Sequence, residues 1–312
     1  MDSYEVTVIG GGLVGAALAY GLARKGLRTL VLDEGDVALR AARASYGYIL
    51  VRGKGLGRPE YARWSLLSAD LWEDLAAELK DVTGIDVGLE RRGSVAINLT
   101  EEEDAASRFL LAEIDRGTGD IGVGNEFLDP PALAELLPGL GPGVISGCYT
   151  ATDGHVNPLL MLRALHAGHA ANGGDYRPDS KVTAIEKGAD GFRIETRAAT
   201  FETAKVVIAA GMGTAGLADG LGLKTPVAPF PCQIMVTERI QPLFDIPTNL
   251  VRQTKEGNLL LAFGDMLKED DLWRQIGDAE GSDPDTFTRP DMSRIVAGRC
   301  RKAFPFLGDL RL

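Results

Sequence analysis

Glycine spacing carries the strongest chemical signal in this chain. Gly10-Gly-Gly12-Leu-Val-Gly15 is a G-x-G-x-x-G pattern. Residues 4–9 before it read as a buried strand. Leu13 to Lys25 after it reads as a helix, with Gly26 placed as a left-handed stop. Leu27 to Asp33 is a second short apolar strand, so the three elements form a βαβ unit with parallel strands. In that setting each residue has a job. Gly10 permits the tight turn, Gly12 lets the backbone approach a pyrophosphate, and Gly15 lets helix and strand pack closely. Leu13 and Val14 open the helix, whose free N–H groups and positive dipole end attract phosphate. Asp33, 18 residues beyond Gly15, ends the second strand where a carboxylate accepts hydrogen bonds from a ribose diol. Glu34 takes that place if the strand runs one residue further. The unit is predicted to bind a dinucleotide.

The pattern occurs twice more, without the same setting. Gly117-Thr-Gly119-Asp-Ile-Gly122 has no strand before it, and Asp129-Pro130-Pro131 follows soon after, which reads as a helix break. Gly211-Met-Gly213-Thr-Ala-Gly216 follows a strand, but only a short helix fits before Gly220.

The elements that must position the first motif follow from periodicity. Residues 60–80 read as one amphipathic helix, with Leu67, Leu71, Leu75 and Leu79 on a stripe beside Trp64 and Trp72. Thr100 to Arg116 is a helix opened by a capping box, Thr100-Glu-Glu-Glu103. Residues 117–147 read as a loop-heavy excursion, and a helix runs from about Pro158 to Ala171. Short strands at 182–185, 192–196, 200–203 and 206–210 form a β-meander leading into a buried strand. Further strands are predicted at 233–237, 250–253 and 259–263. A polar acidic stretch at 265–285 then precedes a last helix near Met292–Ala303.

Composition narrows the function class. The chain has 312 residues, 45% apolar, with 44 acidic and 33 basic side chains for a net charge of −11. That length suits about two domains, and an acidic surface argues against nucleic acid or an anionic membrane. Val6 to Ala23 is 18 residues without a charge, but five are glycine and acids precede it. It reads as strand, turn and helix, and no transmembrane segment is predicted. Cys148, Cys232 and Cys300 are scattered, so neither a disulfide framework nor a zinc site is expected, and Cys232 reads as a small buried hydrophobe in a strand. No metal site is predicted. His166 and His169 lie three apart on a helix without an acid or thiol partner and read as a solvated polar stripe; His155 reads as a backbone or capping residue. The acidic run 269–271 reads as a solvated loop. A cytoplasmic protein is expected.

The order of elements does what the glycine motif alone cannot. A nicotinamide dehydrogenase continues with alternating β and α units, whereas here a β-meander comes before the buried strand. That order resembles the FAD-binding fold of the glutathione-reductase and D-amino-acid-oxidase type. Lys205-Val-Val-Ile-Ala-Ala-Gly211 resembles the strand and turn that return to the nucleotide in that superfamily, and Asp153-Gly-His-Val-Asn-Pro158 resembles its entry into the central helix. Ser45-Tyr-Gly-Tyr-Ile-Leu-Val-Arg-Gly-Lys-Gly55, Pro59-Glu-Tyr-Ala-Arg-Trp64 and Ser68-Ala-Asp-Leu-Trp72 resemble a subgroup of small flavoprotein subunits. Those subunits belong to opine oxidase, hydrogen cyanide synthase and D-hydroxyproline dehydrogenase. Pro231-Cys-Gln-Ile-Met-Val-Thr-Glu238 and Val251-Arg-Gln-Thr254 fit that subgroup's substrate-domain strands.

The resemblance implies an α/β fold. A Rossmann-like FAD-binding domain of glutathione-reductase type, with its β-meander, would comprise 1–85, 145–222 and 290–312. An antiparallel-sheet α+β substrate domain would comprise 86–144 and 223–289. It implies FAD contacts at Ser45, Gly47, Tyr48, Val182, Ala210 and Gly211 besides the glycine loop, Asp33 and Glu34. It places Arg52 and Lys54 in a segment that runs beside the flavin ring in related amine oxidases, where a cation pairs with a substrate carboxylate; the other reading is a surface pair in a loop. Arg252 lies on a strand of the presumed substrate sheet, facing either pocket or water. The implied reaction is FAD-dependent oxidation of the C–N bond of an amino or imino acid. Hydride passes from Cα to flavin N5 and the imine is hydrolysed. No residue stands out as a catalytic acid or base. A larger electron-accepting subunit is the expected partner. The alternatives are an NAD-dependent dehydrogenase and a flavin-binding subunit without chemistry of its own. Family chains continue past the last helix with a strand that closes against the flavin ring. Asp309-Leu-Arg-Leu312 falls where that strand begins, so the ring half of the site is expected to lack its lid here.

Overall fold

The structure is a computed structural model that describes residues 4–35, 41–119, 121–227, 233–262 and 290–311. Cys232, the acidic stretch 265–285 and its run 269–271 lie outside the described residues. The chain divides into two compact units, one of residues 1–45, 74–87 and 157–230, the other of 46–73, 88–156 and 231–312.

The first unit is built on β1 (Tyr4–Ile9), α1 (Leu13–Ala23) and β2 (Thr29–Leu32). Its six-stranded sheet has the order β8-β2-β1-β11-β10-β9, with β8 (Asp175–Arg177), β9 (Val182–Lys187), β10 (Phe192–Thr196) and β11 (Thr200–Ile208). β1 pairs in parallel with both β2 and β11, while β9, β10 and β11 form the antiparallel meander. The two strands expected at 200–203 and 206–210 are therefore one strand. β11 pairs with β10 through Thr200–Thr203 and with β1 through Thr203–Ile208. Strands buried on both faces need apolar runs. β2 is fully buried, and Leu30 and Leu32 join Tyr4, Ile9, Val182, Ile185 and Ile194 in one core. On the other face Val6, Val8 and Val31 pack with Ala19 of α1. Gly26, at φ +81°, ends α1 in the left-handed conformation.

Among the described residues the second unit holds three small sheets. β4 (Ser94–Asn98), β6 (Ser146–Thr150) and β5 (Asn125–Leu128) form one in the order β4-β6-β5. β12 (Ile234–Arg239), β14 (Asn258–Ala262) and β13 (Val251–Gln253) form another in the order β12-β14-β13. β3 (Tyr48–Ile49) pairs with β7 (Gly154–His155). Asn249 links the first two sheets, because its Oδ1 accepts from Ile97 N–H at 2.9 Å and its Nδ2 donates to Ile97 C=O. Val95, Ile97, Leu133, Leu250, Leu259 and Leu261 share the core beneath.

Several expectations change. The last helix, α8 (Pro290–Ala303), which follows the short α7 (Thr214–Asp219) in the chain, belongs to the second unit and not with the nucleotide domain, because Val296, Cys300 and Ala303 are buried in that unit's core. Residues 46–73 also belong to the second unit. The single helix expected over 60–80 is two, α2 (Pro59–Asp70) and α3 (Trp72–Thr83). α2 packs through the small residues Ala62 and Ala69, so Leu67 and Leu71 of the leucine stripe are exposed and only Leu79 is fully buried. The segment 117–147 is not only loop. It carries β5 and α5 (Pro130–Leu136), and Asp129 caps α5 with proline at its first position, where a missing N–H costs nothing. α4 (Glu101–Thr118) follows the capping box, although Glu103 reaches back to Leu99 N–H instead of Thr100.

Candidate dinucleotide site and a buried arginine cluster

The glycine loop is shaped by close approach. At Gly10, φ is +100° and an added Cβ would lie 2.4 Å from Ala209 O. At Gly15 it would lie 1.8 Å from Gly10 O. Neither position admits another residue without moving backbone. Gly12 is different, because a Cβ there meets nothing within 4 Å. The open side of Gly12 is thus the face a ligand can approach. Gly12 is also the N-cap of α1 and no side chain caps that terminus, leaving Leu13 and Val14 at an uncapped helix start, with Val14 exposed. An uncapped N-terminus beside an open glycine suits a pyrophosphate.

Asp33 is buried and accepts from Gly11 N–H at 2.6 Å and Gly35 N–H at 2.8 Å. Glu34 is exposed and pairs with Lys181 at 3.3 Å, so Asp33 is the acid that meets the loop. Ala210 and Gly211 follow β11, and Gly211 takes φ +56° with open space around it. Val182 opens β9 as a core residue, and Ser45 lies half-buried after a turn. The histidines of helix α6 (Pro158–Ala171) do not form a solvated stripe. His169 is 1% exposed, its Nε2 2.8 Å from Thr29 Oγ1, and burial holds its pKa below the usual value. His166 is half-buried, with Nε2 2.8 Å from Gly11 O. α6 presents this face to α1 and β2 because Gly168 lets Tyr20 of α1 pack closely against it.

In the second unit, Arg252 on β13 is only 4% exposed. Its Nη1 is 3.1 Å from His155 Nδ1, and its guanidinium lies 5.9 Å from the centre of the Tyr46 ring. No acid among the described residues forms a salt bridge with it, and its Nε is buried without a hydrogen-bond partner. Burial lowers its pKa, yet guanidinium stays charged. A guanidinium can only donate, so His155 Nδ1 accepts and the proton sits on Nε2, 3.3 Å from Asp245 C=O. Burial, followed by the charge of Arg252, depresses the His155 pKa to about 4, which keeps the ring neutral. Tyr46 Oη donates to Thr248 C=O at 2.9 Å, and its ring lies 4.9 Å from that of Tyr48. Burial raises the pKa of both phenols. Gly47, at φ +81°, accepts from Val156 N–H through its C=O.

Arg52 and Lys54 fare differently from Arg252. Arg52 is half-buried and donates to Cys148 C=O at 3.1 Å, while Asp153, fully buried, accepts from Val51 N–H and Arg52 N–H. Ser94 Oγ donates to the other oxygen of Asp153 at 2.7 Å. Lys54 is half-buried, held through its backbone N–H to Val51 C=O. As site residues Tyr46, His155 and His166 are not legible in the sequence: His155 reads there as a backbone or capping residue and His166 as part of a polar stripe, while Tyr46 lies inside a segment singled out only as a whole. Among the described residues no three His, Cys, Asp or Glu side chains gather as metal ligands, and no helix is long and apolar enough to cross a membrane.

A parallel βαβ unit with this loop, an antiparallel meander and a separate antiparallel unit define a dinucleotide-binding flavoprotein fold. The chain belongs to the FAD dependent oxidoreductase (DAO) family, which it matches over residues 5–311. It is 38% identical to a subunit of the opine oxidase of Agrobacterium tumefaciens (strain Ach5), over 100% of this chain and 80% of that protein. It is 27% identical to human mitochondrial dimethylglycine dehydrogenase over 95% of this chain and 34% of that one. The glycine oxidase structure from Geobacillus kaustophilus superimposes with a TM-score of 0.83 at 25% identity, covering 100% of this chain and 80% of the other. The cofactor is FAD, and the nicotinamide alternative is set aside. The uncapped α1 terminus and the open side of Gly12 fit its pyrophosphate.

Proposed function

We propose that this flavoenzyme oxidises the C–N bond of an α-amino or imino acid, with Arg252 receiving the substrate carboxylate. The observation that carries this reading is a buried guanidinium without an acid partner among the described residues. A buried charge left unpaired is costly, so an incoming carboxylate relieves it and is oriented bidentately. Similar proteins act, by their names, on opines, glycine and dimethylglycine, and the last two carry an amine and a carboxylate on one carbon. FAD, when bound at the glycine loop, would supply the acceptor for the Cα hydride. The imine so formed is hydrolysed by water. The chain's part is to bind and orient. His155 Nδ1 already accepts from Arg252 and Nε2 already carries a proton, so His155 is not the base that takes the amine proton. The test is anaerobic mixing of holoprotein with glycine, sarcosine, proline and D-hydroxyproline. Bleaching of the flavin by one of them supports the reading, and its absence with all α-amino acids tried refutes it.

We also propose a larger electron-accepting partner. The similar opine oxidase protein is one subunit of its enzyme by name. Here Tyr61, Trp64, Leu67 and Leu71 lie exposed along α2 and just past its end, Trp64 at 70%. Such an apolar stripe suits a permanent contact.

A further inference from the structure

We infer that His166 is a positioning residue for FAD, acting through one peptide plane. The acceptor facing His166 Nε2 is the Gly11 carbonyl at 2.8 Å, and a carbonyl cannot donate, so Nε2 carries the proton and donates. A trans peptide is planar, and its C=O and N–H point in opposite directions. The N–H across the plane from Gly11 C=O is that of Gly12. Holding the Gly11 oxygen therefore fixes the direction of the Gly12 N–H, the residue at the open, uncapped start of α1. The neighbouring plane is held as well, since Gly11 N–H donates to Asp33 Oδ2 at 2.6 Å.

Adjacent glycines make such an anchor necessary. A Gly-Gly peptide rotates with little steric penalty, and a rotated Gly11–Gly12 plane would present a carbonyl where phosphate approaches. The remaining side of Gly11 is closed by Tyr176, whose ring edge would lie 3.0 Å from an added Cβ and whose centroid is 4.7 Å from that of His166. His166 itself is two turns into α6, and the packing of Tyr20 against Gly168 sets its height along the loop.

The inference rests on the glycine loop being the dinucleotide site, which Gly12→Asp tests separately. The experiment for His166 is FAD affinity, read from the fluorescence of free flavin, in His166→Phe and His166→Gln. Phenylalanine keeps an aromatic ring against Tyr176 and removes the donor, whereas glutamine restores an N–H donor without the ring. The expected result is a Kd raised about fivefold in the Phe variant and returned to within about twofold in the Gln variant. Faster hydrogen exchange in a peptide spanning residues 9–16 of the Phe variant is the second expected readout, independent of turnover. A Phe variant that binds as tightly as wild type, or a Gln variant as weak as the Phe one, overturns the inference.

Discussion

Arg252 Nη1 sits 3.1 Å from His155 Nδ1, and the pairing fixes both the charge and the tautomer of the histidine. A cation that cannot release its proton faces a ring that must accept. Two basic side chains in contact, neither bonded to an acid side chain among the described residues, make a poor stability device and a good anion receptor.

Replacing Arg252 with Met separates those two roles. Removing an unpaired buried charge from an apolar setting is expected to leave thermal stability unchanged or raised. The KM for an amino-acid substrate is expected to rise about tenfold to a hundredfold, from loss of a charge-assisted pair of about 1.5–3 kcal/mol. Thermal melts and steady-state kinetics check both halves. A destabilised variant with normal KM would make Arg252 a structural residue.

His155 gives a pH prediction with a definite sign. Its pKa is about 4 in the fold and near 6.5 in the unfolded chain, so the unfolded chain binds more protons between those values. Stability is therefore full above pH 6.5, falls as pH drops, and loses nothing further from this group below about 4. His169, also depressed, adds to the same slope. Urea melts from about pH 7.5 to about 4.5 should show a shallower loss for His155→Asn than for wild type.

Gly12→Asp should fold normally, because a Cβ at that position meets nothing. It should lose FAD, because a side chain and a negative charge would occupy the phosphate approach. Gly15→Ala should fail differently, with a less stable apoprotein, since its Cβ would strike Gly10 O. Flavin content and apoprotein melting distinguish the two. Full flavin loading of Gly12→Asp would mean that the site lies elsewhere.

The α2 face predicts a partner dependence. Trp64→Asp should leave flavin content and dye-linked turnover of the lone chain intact while abolishing association with an electron-accepting subunit. Rapid turnover of the lone wild-type chain with oxygen would remove the need for that subunit. A flavin that substrate never reduces would favour a carrier without chemistry.

The βαβ unit was legible because its constraints are local. Gly10, Gly12, Gly15 and Asp33 each answer to one short loop, and the meander announces itself by turn residues. What stayed hidden depends on residues far apart in sequence. Nothing near residue 252 says that the arginine is buried, since β13 is three residues long and the side chains against Arg252, Tyr46 and His155, lie far off in the sequence. His166 and His169 looked polar by spacing, and only the approach of Tyr20 to Gly168 turns them inward. The leucine stripe misled because α2 packs through alanines, a contact that periodicity of large side chains does not reveal.

The pairing of β1 with β11 has a consequence for synthesis. Tyr4 finds its partner only at Thr203, so the centre of the first sheet stays open until about two hundred residues have followed. Loop closure on that scale is slow. Until then β1 has β2 as its strand neighbour and its other edge bare, while α1 gains α6 about forty residues earlier than β1 gains β11. Between the making of β2 and that of β11 the chain therefore holds an apolar strand with one bare edge, a state prone to wrong pairing.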